Sequence, residues 1–135
     1  MLQFTLDLVT NVKIVDEQHK EIFRRINEMS DMGARLFADE EVQDTLDFLG
    51  AYVIEHFKAE EDLMIKWKYP NYESHKNEHA KFLEDFTSFR HDFNTMGSTV
   101  SFTLSLVEHM VNWIVTHIKQ SDKEMAKHIN EQSLK

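Results

Sequence analysis

The chain has 135 residues, which suits one domain around a single buried core. Its 24 acidic residues outnumber 15 Lys and Arg, and the formal net charge of −9 argues against nucleic acid and anionic membrane surfaces as partners. The absence of cysteine excludes disulfides, thiolate ligands and iron–sulfur clusters. With three Gly and one Pro, the chain has few of the turn-forming residues that a many-stranded sheet requires. We expect one domain over residues 1–135.

The N-terminal segment does not resemble a signal peptide, because it lacks a basic start and Asp7 interrupts its apolar stretch. No window holds the roughly 18 uninterrupted apolar residues that a membrane span requires. We therefore expect a cytoplasmic protein, although a domain of a longer receptor would have the same features. Residues 1–15 are less periodic than the rest, and we predict an extended arm whose apolar contacts are Phe4, Leu6 and Leu8.

Apolar residues recur at spacings of three and four along four later segments, which predicts four amphipathic helices. Asp16 is the predicted N-cap of the first helix, and Gly33 is predicted to end it. Pro70 can close the second helix and open the third at its first position. The predicted bounds are about 16–36, 40–67, 70–93 and 99–129, with a loop at 94–98.

Four helices of this length with short connections predict an all-α fold. The expected architecture is an up-down-up-down antiparallel four-helix bundle with an extended N-terminal arm. The core of such a bundle commonly houses a metal site built from facing side chains. We expect a monomer.

Each predicted helix carries His, Glu or Asp on its apolar stripe. The pairs His56/Glu60 and His75/His79 are each four residues apart, so each pair lies on one helix face about one turn apart. A carboxylate buried in a low-dielectric core costs several kcal/mol unless it is paired or binds a metal. Imidazoles together with carboxylates favour a site for two metal ions. The candidate ligands are His19, His56, Glu60, His75, His79, His117 and Asp122.

His117 and Asp122 fit a regular helix poorly, because residues five apart are separated by about 140° around its axis. Both reach one site only if the helix widens or Asp122 reaches back. We therefore predict a π-type distortion between them.

Three other histidines are not predicted ligands. His91 lies in a polar stretch and is expected on the surface. His128 falls roughly 16 Å along the helix from His117, too far to share its metal. His109 borders the fourth apolar stripe, and we expect a boundary residue whose hydrogen bonds are satisfied.

A second motif overlaps the candidate ligands. Residues 75–79 read H-x-x-E-H, which in inverted zincins supplies two zinc ligands and a general base, here Glu78. That interpretation leaves the other five candidate donors unexplained. With a two-metal site, Glu78 is instead a solvent-facing acid or one that supports a ligand.

The ligand motifs resemble those of the hemerythrin family, most closely its single-domain bacterial type. The order H, HxxxE, HxxxH, HxxxxD spans almost the whole chain and is a specific signature. Phe4 and Asn11 depart from the family pattern, in the arm rather than at the ligands. The matching segments are Val15-Asp16-Glu17-Gln18-His19-Lys20, His56-Phe57-Lys58-Ala59-Glu60-Glu61, Tyr69-Pro70 before His75 and His79, and Trp113-Ile114-Val115-Thr116-His117-Ile118 with Asp122 beyond.

The resemblance implies two iron ions (Fe²⁺/Fe³⁺) joined by an oxo or hydroxo bridge. It implies that one iron is held by His75, His79 and His117. It assigns His19 and His56 to the other, and has Glu60 and Asp122 bridge both. Counting these donors leaves the second iron with an open position, where the resemblance implies dioxygen as the ligand.

No residue near the predicted site is suited to further chemistry, so we assign no catalytic residue. The sequence is interpreted as an oxygen-binding protein for carriage, storage or sensing, and not as an enzyme. Two alternatives stay open, a di-iron peroxidase or nitric-oxide-handling enzyme, and an oxygen- or redox-sensing module whose arm moves. The predicted neighbours of the open position are apolar, namely Ile22, Phe23, Phe57, Trp113, Ile114 and Ile118.

Overall fold

A computed structural model describes residues 2–35, 39–97 and 99–135, and for residues 32–35, 39 and 96 it describes the backbone alone. Helices account for most of the described residues, and none of these residues forms a strand. The helices are α1 (Lys13–Arg35), α2 (Asp39–Lys66), α3 (Tyr72–Met96), α4 (Val100–His117) and α5 (Lys123–Ser133), with a 3₁₀ turn at Leu6–Leu8 and a π-helical segment at Ile118–Asp122.

The four long helices form an antiparallel bundle. Helix α1 packs against α2 and α4, and α3 packs against the same two neighbours. The π segment joins α4 to α5 without a break, since its flanking residues keep right-handed helical dihedrals. The prediction of an all-α four-helix bundle is confirmed. No described helix is both long enough and apolar enough to cross a membrane.

Helix α1 begins three residues earlier than predicted, at Lys13, so the prediction that Asp16 is its N-cap is wrong. The Asp16 carboxylate instead accepts hydrogen bonds from the backbone N–H groups of Thr10 and Asn11, at 2.9 and 3.1 Å. From its place near the start of α1, this carboxylate thus holds the end of the arm where the chain enters the helix. Gly33 does not end the helix, which continues to Arg35, because glycine costs a helix interior only about 1 kcal/mol. The predicted end at 36 lies outside the described residues.

Helix α2 ends at Lys66 through a backbone motif and not at proline. The Tyr69 N–H donates to the Met64 carbonyl at 2.9 Å, and Lys68 has a positive φ of 53°. Both features are typical of a Schellman motif, in which a left-handed residue closes the last turn. Pro70 lies two residues before α3, so its predicted place at the first helical position is wrong.

Helix α3 runs three residues beyond its predicted end and takes up most of the predicted 94–98 loop. It stops at Gly97, whose φ of 75° is readily adopted only by glycine. The Gly97 N–H donates to the Phe93 carbonyl at 2.7 Å and closes the final turn. Helix α4 then begins after Thr99, whose side chain caps it by accepting from the Phe102 N–H at 3.0 Å.

The predicted extended arm over residues 1–15 is correct only in part. Thr5 and Val9, on either side of the 3₁₀ turn, are extended, but Asn11 has a positive φ of 64° and residues 13–15 belong to α1.

The predicted packing of the arm is also correct only in part. Leu8 is buried in the core, and the Phe4 ring lies edge-on to Phe23 at 5.8 Å. Leu6 is 86% exposed, so its predicted apolar contact is wrong. The 3₁₀ turn has about three residues per turn, which directs Leu6 and Leu8 to different sides.

A layer of buried polar side chains divides the apolar core into two parts. The larger part, which we call the main cluster, includes Ile26, Met29, Leu46, Leu106 and Met110 among its buried members. The smaller part, which we call the end cluster, consists of buried Val15, Met64, Tyr69, Met125 and Ile129. Helices α1 and α2 pass from one cluster to the other through the polar layer, and α5 supplies Met125 and Ile129 to the end cluster beyond α4 and the π segment.

Candidate metal centre

All seven predicted metal donors lie in the polar layer and are buried. They form two groups within which the candidate ligand atoms lie within 4.8 Å of one another. One group contains three imidazoles and the other contains two, and the same two carboxylates belong to both. The groups are His75, His79 and His117 with Glu60 and Asp122, and His19 and His56 with Glu60 and Asp122.

Glu60 divides its two oxygens between the groups. Its Oε1 lies 3.0 Å from His79 Nε2 and 3.2 Å from His75 Nε2. Its Oε2 lies 2.9 Å from His56 Nε2 and 3.4 Å from His19 Nε2. A carboxylate that presents one oxygen to each of two donor groups is arranged to bridge two cations.

Asp122 divides its oxygens in the same way. Oδ1 lies 3.0 Å from His75 Nε2 and 3.1 Å from His117 Nε2, whereas Oδ2 lies 2.9 Å from His19 Nε2. Glu60 comes from α2 and Asp122 from the opposite side of the bundle, beyond α4. The two carboxylates therefore approach the layer from different helices and face the same two groups.

The π segment brings Asp122 into line with His117. Within this segment the hydrogen bonds span five residues, as shown by the Lys123 N–H, which donates to the Ile118 carbonyl. Residues five apart then lie on the same side of the helix, whereas a regular α-helix would separate them by about 140°. The predicted π-type distortion is confirmed.

Several donor atoms are close together without forming hydrogen bonds. His19 Nε2, His56 Nε2, Glu60 Oε2 and both Asp122 oxygens are buried and have no hydrogen-bond partner among the described residues. Buried polar atoms without partners are rare and costly. Short distances without hydrogen-bond geometry are typical of ligands that converge on an ion between them. The residues present therefore fit a metal centre.

The charges in the layer also favour cations. Burial lowers the pKa of His19 and of His75, but Asp122 and Glu60 outweigh burial and raise each pKa to about 9. The pKa of His117 is raised to about 12, because Asp122 and the neighbouring carboxylates again outweigh burial. Burial raises the pKa of Glu60, but the surrounding imidazoles hold it well below its usual range. The carboxylates thus require positive charge, which protons or metal ions can provide.

Three imidazoles have a hydrogen-bond partner on the nitrogen that faces away from the centre. His79 Nδ1 donates to Glu61 at 2.9 Å, and His56 Nδ1 donates to Gln18 at 2.7 Å. A third contact joins His117 Nδ1 to Glu78 at 2.8 Å. Each partner leaves Nε2 free to face the shared carboxylates, which is how outer hydrogen bonds orient metal-binding histidines.

The role of Glu78 agrees with the two-metal prediction and not with the zincin motif. Its Oε1 also accepts a hydrogen bond from the Ser121 hydroxyl at 2.6 Å, so it ties α3 to the π segment. It lies behind His117 rather than between two zinc ligands. An open surface cleft of about 320 Å³ exposes this side of the layer, and its lining consists of Glu78, His109, Asn112, Trp113, Thr116 and His117.

Gln18, Glu61 and Ser121 were not singled out by the sequence analysis. Each of the three directly neighbours a predicted ligand in the chain, and each is half-buried. A polar residue at the edge of the ligand stripe is the signal that could have identified them. Their partners lie on other helices, so the pairing itself required the fold.

The predictions for His91 and His128 are confirmed, and the prediction for His109 is correct only in part. His91 is exposed, and His128 lies outside both donor groups and donates from Nε2 to the Trp67 carbonyl at 2.7 Å. His109 is a half-buried boundary residue as predicted, but the prediction that its hydrogen bonds are satisfied is wrong. Its Nε2 lies 3.3 Å from Asp85 Oδ2 and has no hydrogen-bond partner among the described residues, because the two atoms lack hydrogen-bond geometry.

The six predicted wall residues are in or beside the main cluster. Ile22, Phe23, Phe57, Ile114 and Ile118 are buried, and Trp113 is half-buried against them. Phe57 stacks on the His79 ring at 3.9 Å, and Trp113 stacks on His117 at 4.4 Å. These two rings therefore contact the three-imidazole group, and their place at an open coordination position stays a prediction.

Residues 10–129 match the family model described as the hemerythrin HHE cation-binding domain. The chain belongs to the hemerythrin family. This membership confirms the resemblance of the ligand motifs. The family assignment also agrees with the prediction of a protein that is not an enzyme.

Similar proteins and structures cover nearly the whole chain. Bacteriohemerythrin of Methylococcus capsulatus is 34% identical over 114 residues, which are 84% of this chain and 85% of the relative. Myohemerythrin of Theromyzon tessulatum is 29% identical over 108 residues, 80% of this chain and 77% of the relative. A wild-type hemerythrin crystal structure is 30% identical, with a TM-score of 0.84 over 96% of this chain and 97% of that one.

Proposed function

We propose that this hemerythrin binds dioxygen reversibly at a carboxylate-bridged pair of iron ions, for oxygen carriage, storage or sensing. The observation that carries the proposal is the division of the Glu60 and Asp122 oxygens between unequal groups of imidazoles. Two shared carboxylates would hold two cations close together, and the group with one imidazole fewer would leave its cation a protein donor short. That position is available to a small ligand.

A pair of ferrous ions supplies two electrons for reversible dioxygen binding, and the chain controls access. His75, His79 and His117 would hold one ion, and His19 and His56 the other. Buried side chains of the main cluster, among them Ile22 and Ile118, lie beside the layer and keep water and protons away. An apolar wall favours reversible binding over turnover, because further reaction of bound dioxygen needs protons.

Imidazole and carboxylate ligands together suit iron better than they suit calcium or magnesium, which prefer oxygen ligands alone. The absence of cysteine removes the soft ligands that favour other metals. A monomeric state, a single domain and a cytoplasmic location stay predictions for this chain.

The test begins with elemental analysis of the purified protein, which should find about two iron ions per chain. The reduced protein should change its optical spectrum in air and recover it when oxygen is removed. The variant His117→Gln should lose iron, whereas His91→Gln, at an exposed histidine outside both groups, should keep it.

Three results would contradict the proposal. A single zinc ion with peptidase activity that depends on Glu78 would revive the zincin interpretation. Rapid turnover of hydrogen peroxide with a reductant would favour a di-iron enzyme. A spectral change in air that oxygen removal does not reverse would exclude reversible binding.

A further inference from the structure

The two imidazole groups differ in what their outer nitrogens contact. We infer that these outer contacts make the two metal positions unequal in redox behaviour, so that the ion held by three imidazoles is the more stable as Fe³⁺. The inference rests on the proposed di-iron function and adds the order in which the two ions are reduced. The first electron added to a diferric pair goes to the ion held by His19 and His56.

Two carboxylates hydrogen-bond to the three-imidazole group from outside. Glu61 Oε2 accepts from His79 Nδ1 at 2.9 Å, and Glu78 Oε1 accepts from His117 Nδ1 at 2.8 Å. The Nε2 atoms of both rings point inward, where they lie 3.1 Å from each other. Each ring therefore stands between a negative charge on one side and the predicted ion on the other.

The two-imidazole group has no such carboxylate among the described residues. His56 Nδ1 contacts the neutral side-chain amide of Gln18 at 2.7 Å. His19 Nδ1 is buried and has no hydrogen-bond partner within the described part of the chain, and the same is true of His75 Nδ1 in the other group. The groups therefore differ in their remaining outer contacts, which are two carboxylates for the three-imidazole group and one neutral amide for the two-imidazole group.

An anionic acceptor changes the imidazole that donates to it. It draws the Nδ1 proton outward and raises the electron density on the ring, so Nε2 becomes a stronger donor to a metal. A stronger donor stabilises Fe³⁺ more than Fe²⁺, because the ferric ion carries the larger charge. An uncharged amide orients the ring equally well but has a smaller effect on its basicity.

Solvent should make the two carboxylates unequal. The Glu61 side chain is 22% exposed, whereas the Glu78 side chain is 42% exposed and lines the surface cleft. Water screens the more exposed charge more strongly. Glu78 also shares the same oxygen with the Ser121 hydroxyl. Glu61 is therefore the stronger of the two positioning residues.

The experiment is a redox titration of the iron-loaded protein at an electrode, which supplies one electron in each step and converts one Fe³⁺ to Fe²⁺. The variants are Glu61→Gln, Glu78→Gln and Gln18→Glu, which exchange a carboxylate and an amide of the same shape. Glu84→Gln is the matched control, since Glu84 is exposed on α3 and belongs to neither donor group. Optical and electron paramagnetic resonance spectra follow the diferric, mixed-valent and diferrous forms.

Glu61→Gln should increase the equilibrium constant of the second reduction about tenfold, because that step reduces the ion held by three imidazoles. For one electron this corresponds to a rise of about 59 mV in the potential of that step. Gln18→Glu should disfavour the first reduction by a similar factor. Both variants therefore narrow the range of potential over which the mixed-valent form exists, but from opposite ends. Glu78→Gln should shift the potential of the second reduction in the same direction as Glu61→Gln but by less. Glu84→Gln should leave the potentials of both reductions unchanged.

Equal shifts of both steps in Glu61→Gln would mean that the carboxylate acts only through net charge, and would overturn the inference. So would a Gln18→Glu variant whose first step is unchanged. A wild-type protein without two iron ions would instead contradict the proposed function itself. Intact iron content with an unchanged titration in all variants would reject this inference alone.

Discussion

The polar layer and the main cluster lie in the same bundle core, but different interactions stabilise them. Met29, Leu46 and Leu106 are fully buried and need only close packing. Glu60 and Asp122 are equally buried, but they stabilise the fold only when cations neutralise them. The main cluster is thus stable through the chain alone, whereas the layer depends on what it binds. The predictions below test this division, beginning with the largest effect.

Removing the metal should have the largest effect on stability. A metal that binds only the folded chain at a thousand times its dissociation constant adds about 4 kcal/mol. For a domain of this size that corresponds to roughly 10 °C or more in the melting temperature. Scanning calorimetry of chelated and metal-loaded protein should show this difference. Identical melting temperatures would mean that the layer is stable without cations.

Truncating the main cluster should destabilise both forms equally. Leu106→Ala removes a fully buried side chain and should cost about 2–5 kcal/mol in the free energy of unfolding, with or without metal. Urea titrations measure this loss, and the metal content should not change. Leu104→Ala is the control, because Leu104 is half-exposed on the same helix and should change stability by about 0.5 kcal/mol or less. A larger loss in the chelated form alone would show that the two regions are coupled.

The chelated protein should lose stability as the pH rises. The pKa of His19 and of His75 is about 9 in the folded chain, above the unfolded value of 6.5. A raised pKa contributes stability that is complete below pH 6.5 and is lost as the pH rises through 9. We expect a loss of roughly 3 kcal/mol for each imidazole over this range, as the imidazoles lose the protons that neutralise Glu60 and Asp122.

Metal binding should reverse this pH dependence. The metal competes with protons for Nε2, so metal binding should release protons near pH 7. The affinity of the protein for the metal should therefore increase as the pH rises. Thermal unfolding at a series of pH values, with and without metal, provides the comparison. If the chelated protein is equally stable at pH 6 and pH 10, the layer does not hold protonated imidazoles.

The boundary between the two regions should control the lifetime of the oxygenated form. Ile118 is fully buried in the main cluster directly after His117. Ile118→Ser should admit water and speed decay of the oxygenated protein about tenfold, an effect of about 1.4 kcal/mol on the barrier, without changing the iron content. Stopped-flow spectroscopy measures the decay. Ile26→Ser is the control, since Ile26 is also buried in the main cluster but lies about two turns from His19, the predicted ligand on α1.

An unchanged decay in Ile118→Ser, with both ions present, would show that Ile118 does not limit access. The wall would then be formed by other predicted residues, of which Phe23 and Phe57 are buried nearby. Equal acceleration in Ile26→Ser would indicate that general loosening of the core, and not the site, sets the decay.

The positions of the donors could be predicted because helices repeat regularly. A spacing of four residues places His56 with Glu60 and His75 with His79 whatever the surroundings. The same regularity made the five-residue spacing of His117 and Asp122 conspicuous, and the structure resolves it with a π segment. Periodicity along one helix is a local property, and sequence reasoning captures it.

The ends of the elements and the arm were less predictable. Asp16 has the chemistry of an N-cap, but the fold uses its carboxylate to accept from Thr10 and Asn11. Leu6 has the same side chain as Leu8, and only the course of the 3₁₀ turn decides which one is buried. Such choices depend on how the arm meets the bundle.

By itself, the sequence determined the helices, the bundle and which seven side chains are candidate donors, because helical periodicity and the cost of buried charge act on each segment separately. Tertiary structure decided how the oxygens of Glu60 and Asp122 divide between the two groups, and that Glu61 and Gln18 stand behind different imidazoles. Apart from His56 with Glu60 and His117 with Asp122, those contacts join residues 15 to over 100 positions apart, and only the packing of one helix against another brings them within hydrogen-bonding distance.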